Sequence, residues 1–277
     1  MTVAVLLTVH NRKAKTIACL RELFIQADAF KTERKYEFSV YLVDDGCTDG
    51  TSDAVSEEFT DVKIIKGNGE LYWNRGMCLA WNEAAMESPD FYLWLNDDTV
   101  LKPGAIAVLL ENSVRLGHKA IVVGSTVSST GTLTYGGRTR SGKLIEPGPM
   151  IPKPCSVFNG NLVLVPSSVF NVLGTMDPCY SHGFGDFDYG IRAEKAGIDA
   201  VVAPGILAVC DRDHGVPVWR DASKSIRQRY EALNRPNGRP PREQFIYDAR
   251  AFNIFYAVAH FITLNLRVLL PKKAKVR

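Results

Sequence analysis

Residues 38–51 read FSVYLVDDGCTDGT, an apolar run that stops at two adjacent aspartates and then turns on glycine. Phe38 to Val43 has the length and the aromatic and β-branched content of a strand buried on both faces. Gly46 and Asp49 suit a tight turn after it, and Thr51 or Ser52 is placed to cap the helix that follows. The same cycle recurs on both sides. Upstream, Val3 to Val9 ends in His10, Asn11 and Arg12, and Ile17, Leu20, Leu23 and Phe24 then recur at helical spacing. Downstream, Val62 to Ile65 reads as a short strand, Gly67 to Arg75 as a loop and Met77 to Met86 as a helix. Phe91 to Leu95 is another strand, emptying into Asn96, Asp97, Asp98 and Thr99, with Pro103 opening a helix through Ile106, Leu109 and Leu110. Strands and helices at this interval predict an α/β fold of βαβ units, with a mainly parallel sheet covered on both faces. The polar clusters then fall at strand C-termini, where open α/β sheets place their ligands.

Composition agrees with a folded protein of ordinary type: 277 residues, 46% hydrophobic and 23% charged, with 22 Gly and 14 Pro. That excludes a disordered, collagenous or disulfide-scaffold chain. Basic and acidic residues nearly balance, 33 against 30, so there is no overall basic field, and nucleic acid is not an expected partner. The six cysteines, at 19, 47, 78, 155, 179 and 210, include no CxxC pair and fit a reducing compartment. The opening MTVAVLLTVHNR lacks a basic leader and reads as a first strand, so a cytoplasmic location is expected.

Beyond Ile121 to Val123 the texture changes. Ser125 to Gly142 reads as turns or a hairpin excursion, Asn159 to Pro166 as a strand, Ile191 to Gly197 as part of a helix and Val201–Val202 as a buried strand. RPNGRPPR at 235–242 reads as a linker. Gln244 to Leu270 is long and apolar, but the 16 uncharged residues between Arg250 and Arg267 fall short of a membrane span. The chain closes on Lys272, Lys273, Lys275 and Arg277 with no acid among them. Two readings stand: a helix lying in a membrane interface with its basic end toward anionic lipid, or a core or oligomer helix with a solvated tail.

Several groups could carry chemistry. Acidic pairs at two strand ends, Asp44–Asp45 and Asp97–Asp98, can hold a ribose or base edge at one and a hard cation such as Mg²⁺ or Mn²⁺ at the other. The same residues could instead cap helices and fill turns. Gly185-Asp186-Phe187-Asp188 opens a helix, where one carboxylate could act as a general base and the other as a cap. His214, in the polar island Cys210 to Gly215, gains interest as a metal ligand only because the carboxylates already suggest a cation, and His10 and His182 are weaker on the same ground. Tyr72 and Trp73 in GNGELYWNRG offer rings for stacking. GxxxxGK[ST], GxGxxG and HExxH are all absent, against P-loop ATPases, dinucleotide oxidoreductases and HExxH proteases.

Taken in order along residues 3–214, these elements resemble the family 2 glycosyltransferases of the GT-A fold, with the motif style of rhamnosyltransferase-like and galactofuranosyltransferase-like members. The resemblance implies that Thr8, His10 and Arg12 meet the nucleotide, that Asp45 with Asp44 contacts its base or ribose, and that Asn74, Arg75 and Asp97 lie near the donor. It implies Asp98 and His214 as ligands of Mg²⁺ or Mn²⁺, Asp186 as catalytic base, and Trp73, Asn159, Asn161 and Asp188 as acceptor contacts. Gly185 departs from the family pattern, which has glutamate there. The implied reaction is inverting transfer from a UDP- or dTDP-linked sugar to a glycan or lipid-linked glycan in surface polysaccharide synthesis. The implied layout is a GT-A domain at 1–220 and a C-terminal helical extension at 221–277, peripheral on the inner face of the cell membrane. An anionic membrane surface and a second copy of the chain are the remaining candidate partners. A sugar-phosphate nucleotidyltransferase would need phosphate-binding glycines near the first strand, and Thr8 to Lys15 has the basic residues without them. A noncatalytic nucleotide-sugar or glycan-binding subunit would bind donor without turning it over.

Overall fold

The computed structural model describes residues 1–33, 35–212 and 217–270. Its first half alternates as the apolar runs demand: β1 (Thr2–Val9), α1 (Lys13–Glu33), β2 (Glu37–Asp44), α2 (Thr51–Glu58), β3 (Val62–Lys66), α3 (Tyr72–Ala85) and β4 (Phe91–Leu95). There follow β5 (Val100–Leu101), α4 (Ala105–Arg115), β6 (Ile121–Val123), β7 (Thr126–Val127), β8 (Leu133–Tyr135) and β9 (Gly137–Arg138). Next come β10 (Lys153–Cys155), β11 (Val157–Phe158), β12 (Leu162–Pro166), α5 (Ser167–Leu173), α6 (Gly185–Lys195), β13 (Ala200–Val202) and β14 (Ala208–Val209). The described residues close with α7 (Ile226–Asn234), α8 (Pro241–Ala251) and α9 (Ile254–Leu269), preceded by a 3₁₀ turn at Val218–Arg220.

Eight strands form one sheet in the order β10-β13-β6-β12-β4-β1-β2-β3. β1 pairs in parallel with both β2 and β4, and β2 with β3, whereas β12 runs antiparallel between β4 and β6. The C-termini of β1, β2 and β4 and the N-terminus of β12 therefore meet along one edge. Side chains alternate across β1. Val3, Val5 and Leu7 pack with Leu20 and Leu23 of α1 and Ile106 and Leu109 of α4, while Ala4 and Leu6 pack with Met77, Ala80 and Trp81 of α3. Burial on both faces explains why the strands are nearly uniformly apolar.

Three local differences from the sequence reading bear on the site. α3 starts at Tyr72, so Trp73, Asn74 and Arg75 lie in its first turn and not in a loop. The cause is Asp45, whose carboxylate accepts from the backbone N–H groups of Gly69 at 2.8 Å, Leu71 at 3.2 Å and Tyr72 at 2.8 Å and so anchors the helix start. The apolar C-terminal stretch breaks into two helices at 252–253, where the Asn253 side chain accepts from Tyr256 N–H at 2.8 Å and caps α9. Among the described residues no helix is long and apolar enough to cross a membrane. Finally, the proline- and arginine-rich segment at 235–242 is a tight turn and not a free linker: Arg239 N–H donates to Leu233 carbonyl at 3.0 Å, and no Cβ fits at Gly238 against the Ala232 carbonyl.

Candidate active site

The strand ends open into a cleft of about 680 Å³, within the range of small-molecule sites. It brings together Thr8, His10, Arg12, Asp45, Trp73, Asp97, Asp98, Asn159, Asn161 and Asp186 from six separate stretches of chain.

On the β1–β2 side, His10 Nδ1 lies 2.6 Å from the Asp45 carbonyl, which can only accept, so Nδ1 carries the proton and Nε2 is left to accept from Asn11 Nδ2 at 3.3 Å. Beside them Arg12 donates from one amino group to Asp97 Oδ1 at 3.2 Å and Asp98 Oδ2 at 2.6 Å. Burial pushes the Asp97 carboxyl up to about 7, with Arg12 opposing the shift and the like charge of Asp98 adding to it. Asp97 Oδ2 is buried without a hydrogen-bond partner. Two carboxylates, one with an uncommitted oxygen, fit a hard divalent cation whose remaining positions are filled by substrate oxygens and water. Behind Asp98 the Cys210 thiol donates to Oδ1 at 3.5 Å, and burial pushes that thiol up to about 12, so it stays neutral. His214 lies outside the described residues.

Asp186 stands on the opposite wall, in the first turn of α6. Gly160 N–H donates to its Oδ2 at 3.0 Å, and the N–H of Phe187 donates to Oδ1 at 2.8 Å. Burial outweighs both bonds and pushes the carboxyl up to about 6. Gly160 leaves no room for a side chain, because its Cβ would fall 2.4 Å from the Trp73 ring. Trp73 in turn donates from Nε1 to Asn96 Oδ1 at 2.7 Å, tying the α3 start to the end of β4. Asn159 accepts from Arg138 Nε at 2.9 Å, and Asn161 donates to the Cys210 sulfur at 3.4 Å. Tyr72 and Phe184, which line the cleft, hold the left-handed backbone conformation at φ 56° and 70°, a costly geometry for aromatic residues.

Four expected contacts are corrected. Asp44 faces away from the cleft: Lys66 Nζ donates to it at 2.7 Å, Cys47 N–H at 2.7 Å and Ser52 Oγ besides. Burial opposes ionisation there, but these bonds together hold its carboxyl below the usual range. Asn74 is fully buried and donates to the Asp177 and Tyr180 carbonyls, both at 2.8 Å, clamping the loop before α6. Its Oδ1 sits 1.7 Å from where a Cβ at residue 185 would stand, which is why glycine occupies that position. Arg75 is exposed and donates to the Pro178 carbonyl at 3.2 Å. Asp188 is fully buried, accepting from Tyr180 Oη at 3.0 Å and pairing with Arg192 and Arg250, each at 3.1 Å. Tyr135, Phe184, Phe187, Asn237 and Arg239 also line the cleft, and the sequence reading gives them no role. Three arginines and no acid within 235–242 were the available signal.

The model for "Glycosyl transferase family 2" matches residues 4–170, more than half of the chain and all of the β1–β4 cleft edge. The chain belongs to glycosyl transferase family 2. Within the family's wider range it is 25% identical over 224 residues to an N-acetylglucosaminyl-diphospho-decaprenol L-rhamnosyltransferase of Mycobacterium tuberculosis, covering 70% of this chain and 72% of that one. Among solved structures it is similar to the mannosyltransferase PcManGT of Pyrobaculum calidifontis in complex with GDP-Man and Mn²⁺, with TM-score 0.57 and 18% identity over 96% of this chain and 71% of that one. It is also similar to S. aureus TarS 1-349 in complex with UDP-GlcNAc, with TM-score 0.61 and 14% identity over 97% and 83%. The chain thus has the GT-A fold of these glycosyltransferases, and the acidic ends of its own β2 and β4 lie at the cleft.

Proposed function

We propose that the chain is an inverting, metal-dependent glycosyltransferase that moves a sugar from a UDP- or dTDP-linked donor to a hydroxyl of a lipid-linked glycan. One observation carries the reading: Asp186, an enclosed carboxyl pushed up to about 6, faces the Asp97–Asp98 pair across one cleft. Thr8, His10 and the backbone around Asp45 and Gly69 bind the nucleoside. Asp98, with Asp97 beside it, would hold a Mg²⁺ or Mn²⁺ whose charge offsets that of the departing diphosphate. Asp186 orients the acceptor hydroxyl and takes its proton as the oxygen bonds to the anomeric carbon and the bond to the diphosphate oxygen breaks. A single displacement inverts that carbon and requires no covalent enzyme nucleophile. Trp73, Asn159 and Asn161 form the wall against which the acceptor sugar rests. The Mycobacterium tuberculosis relative, named for a sugar-diphospho-decaprenol acceptor, supports the lipid-linked class, and a peripheral place at a membrane follows from it.

The test is calorimetric titration with nucleoside diphosphates and their sugars, with and without Mn²⁺, repeated with Asp98→Ala. Binding selective for one base, strengthened by Mn²⁺ and weakened about tenfold or more by the substitution, is the expected result. Equal affinity with and without the cation would remove the metal from the scheme, and no nucleotide binding by folded protein would remove donor recognition altogether.

A further inference from the structure

The chemistry above leaves unused the outer surface of α9 and the arginines beside it. α9 buries Ala257, Leu264 and Val268, the last two against Trp219, Ala232 and Leu233. At 3.6 residues per turn, Phe255, Val258, Ile262, Leu266 and Leu269 fall on the opposite side. All five are exposed, Phe255 at 83%, giving an apolar stripe about 20 Å long on a helix rising about 1.5 Å per residue. Scattered exposed apolar residues need no explanation, but a continuous stripe of this size marks contact with lipid or protein.

One flank of the same helix carries Tyr256, His260, Thr263 and Arg267. That flank faces α8 and the 235–242 turn: His260 Nδ1 pairs with Asp248 Oδ2 at 2.7 Å, and Asp248 Oδ1 accepts from Gln244 at 2.8 Å. Gln244 Oε1 accepts from Arg239 Nε at 2.5 Å, and the Arg239 guanidinium lies 5.9 Å over the ring of Phe184 at the cleft wall. Arg220 lies 5.5 Å over Trp219. Burial holds Arg239 below its ordinary pKa; nearby Asp248 opposes this, and the like charges of Arg267 and Arg220 add to it. Among the described residues none of these three arginines forms an ion pair with a carboxylate. An anion accepting from guanidinium groups that have no carboxylate partner gains charge-assisted hydrogen bonds that the fold leaves unmade.

We infer that Arg220, Arg239 and Arg267 receive the diphosphate of a lipid-linked acceptor, whose hydrocarbon chain runs onto the apolar stripe of α9. The inference rests on the glycosyltransferase reading of the cleft. A headgroup of the bulk membrane is the less fitting occupant, because the innermost arginine lines the reaction cleft itself and stacks on Phe184, two residues from Asp186. An anion held there belongs to a molecule that reaches the base. The sugar attached to the diphosphate then points inward and its lipid outward, so charge and apolar surface meet the acceptor in the order in which its own groups are joined.

The test uses farnesyl diphosphate, farnesol and inorganic pyrophosphate as probes titrated into the full chain, with UDP and dTDP as reporters of the donor site. Farnesyl diphosphate is expected to bind at least tenfold more tightly than either fragment, without displacement by the nucleotides. Arg220→Gln/Arg267→Gln, which alters only exposed side chains, and Arg239→Gln should each reduce that affinity about tenfold. Phe255→Ser/Ile262→Ser should weaken farnesyl diphosphate and leave pyrophosphate unchanged. Unchanged affinity in the arginine variants, or competition by UDP or dTDP, overturns the assignment. So does capture by phosphatidylglycerol vesicles that equals capture by neutral vesicles containing farnesyl diphosphate, since the arginines would then serve the bulk surface. Farnesyl diphosphate binding without any nucleotide binding would spare this site and sink the transferase reading, and the reverse result would do the opposite.

Discussion

Two aspartate pairs close the two strands that flank β1, and they have opposite fates. After β2, Asp44 is bonded by Lys66, Ser52 and Cys47 N–H, and Asp45 by three backbone N–H groups, so both carboxylates are occupied within the fold. After β4, Asp97 keeps an oxygen with no partner, and both members of the pair share one arginine that is 41% exposed. The same contrast recurs on α6, where Asp188 is satisfied by a tyrosine and two arginines while Asp186 faces the cleft with only backbone donors. The residue type and the strand end do not separate scaffold from site; the supply of donors does. A carboxylate whose hydrogen bonds are complete lends stability, whereas one left short costs stability and is available to a substrate.

The sharpest break of that contrast is Asp186→Asn. Transfer should fall by about 10²- to 10⁴-fold, the usual contribution of a positioned general base, with nucleotide affinity retained. Loss of nucleotide binding in parallel would show that Asp186 belongs to the scaffold class after all.

Asp188→Asn tests the other member. It leaves Arg192 and Arg250 without their buried partner, and removing one side of such a pair costs about 3 kcal/mol, at the lower end of the range because Arg250 reaches solvent. Urea denaturation should show that loss, with any drop in transfer explained by unfolding. A fully stable but inactive variant would move Asp188 to the chemistry.

Gly185→Ala is expected to cost about 1 to 3 kcal/mol, since the new Cβ meets Asn74 Oδ1 at 1.7 Å and both groups sit in packed surroundings. Combined with Asn74→Ala, the penalty should be smaller than the sum of the two single losses, as a double-mutant cycle in urea would read. Additive losses would mean that the close approach is relieved elsewhere.

The fold was legible because each of its deciding strands is a short apolar run ending in polar residues, a pattern that survives without knowing any partner. The cleft was legible to the same depth: strand ends of β1, β2 and β4 must share an edge, so His10, Asp45 and Asp98 had to be neighbours. What was not legible depends on pairs distant in sequence. Asp44 is neutralised by Lys66, which the β2–β3 register puts directly beside it. Asn74 and Gly185 interlock across more than a hundred residues, and neither alone carries a sign of it. Asp186 and Asp188, two apart on a helix, do not share a face, although the resemblance places both at the cleft; Tyr180 and Arg250 hold Asp188 in the interior and leave Asp186 to the cleft. The 235–242 turn resembles a linker in composition because prolines and glycine serve a tight turn equally well.

The smallest effect, and the most direct reading of the contrast, is in the sign of the pH dependence. Asp186 sits at about 6 in the fold and near 3.9 when unfolded, so the native state binds its proton more tightly. Its contribution is therefore favourable below about pH 4 and is lost as pH rises through 6, while transfer increases over the same interval as the base ionises. Asp44, held below the ordinary range, acts oppositely: its contribution is present above about pH 4 and is lost as pH falls. Asp186→Asn should then raise Tm at pH 7 relative to pH 4.5 by about 2 to 4 °C against the parent, a shift kept small by solvent in the cleft. Asp44→Asn should lower Tm at pH 7, and the gap to the parent should start to narrow only as pH falls below about 4. Thermal melts of the three proteins across pH 3 to 7.5 read both slopes at once, and slopes of the same sign would erase the distinction between the two aspartates.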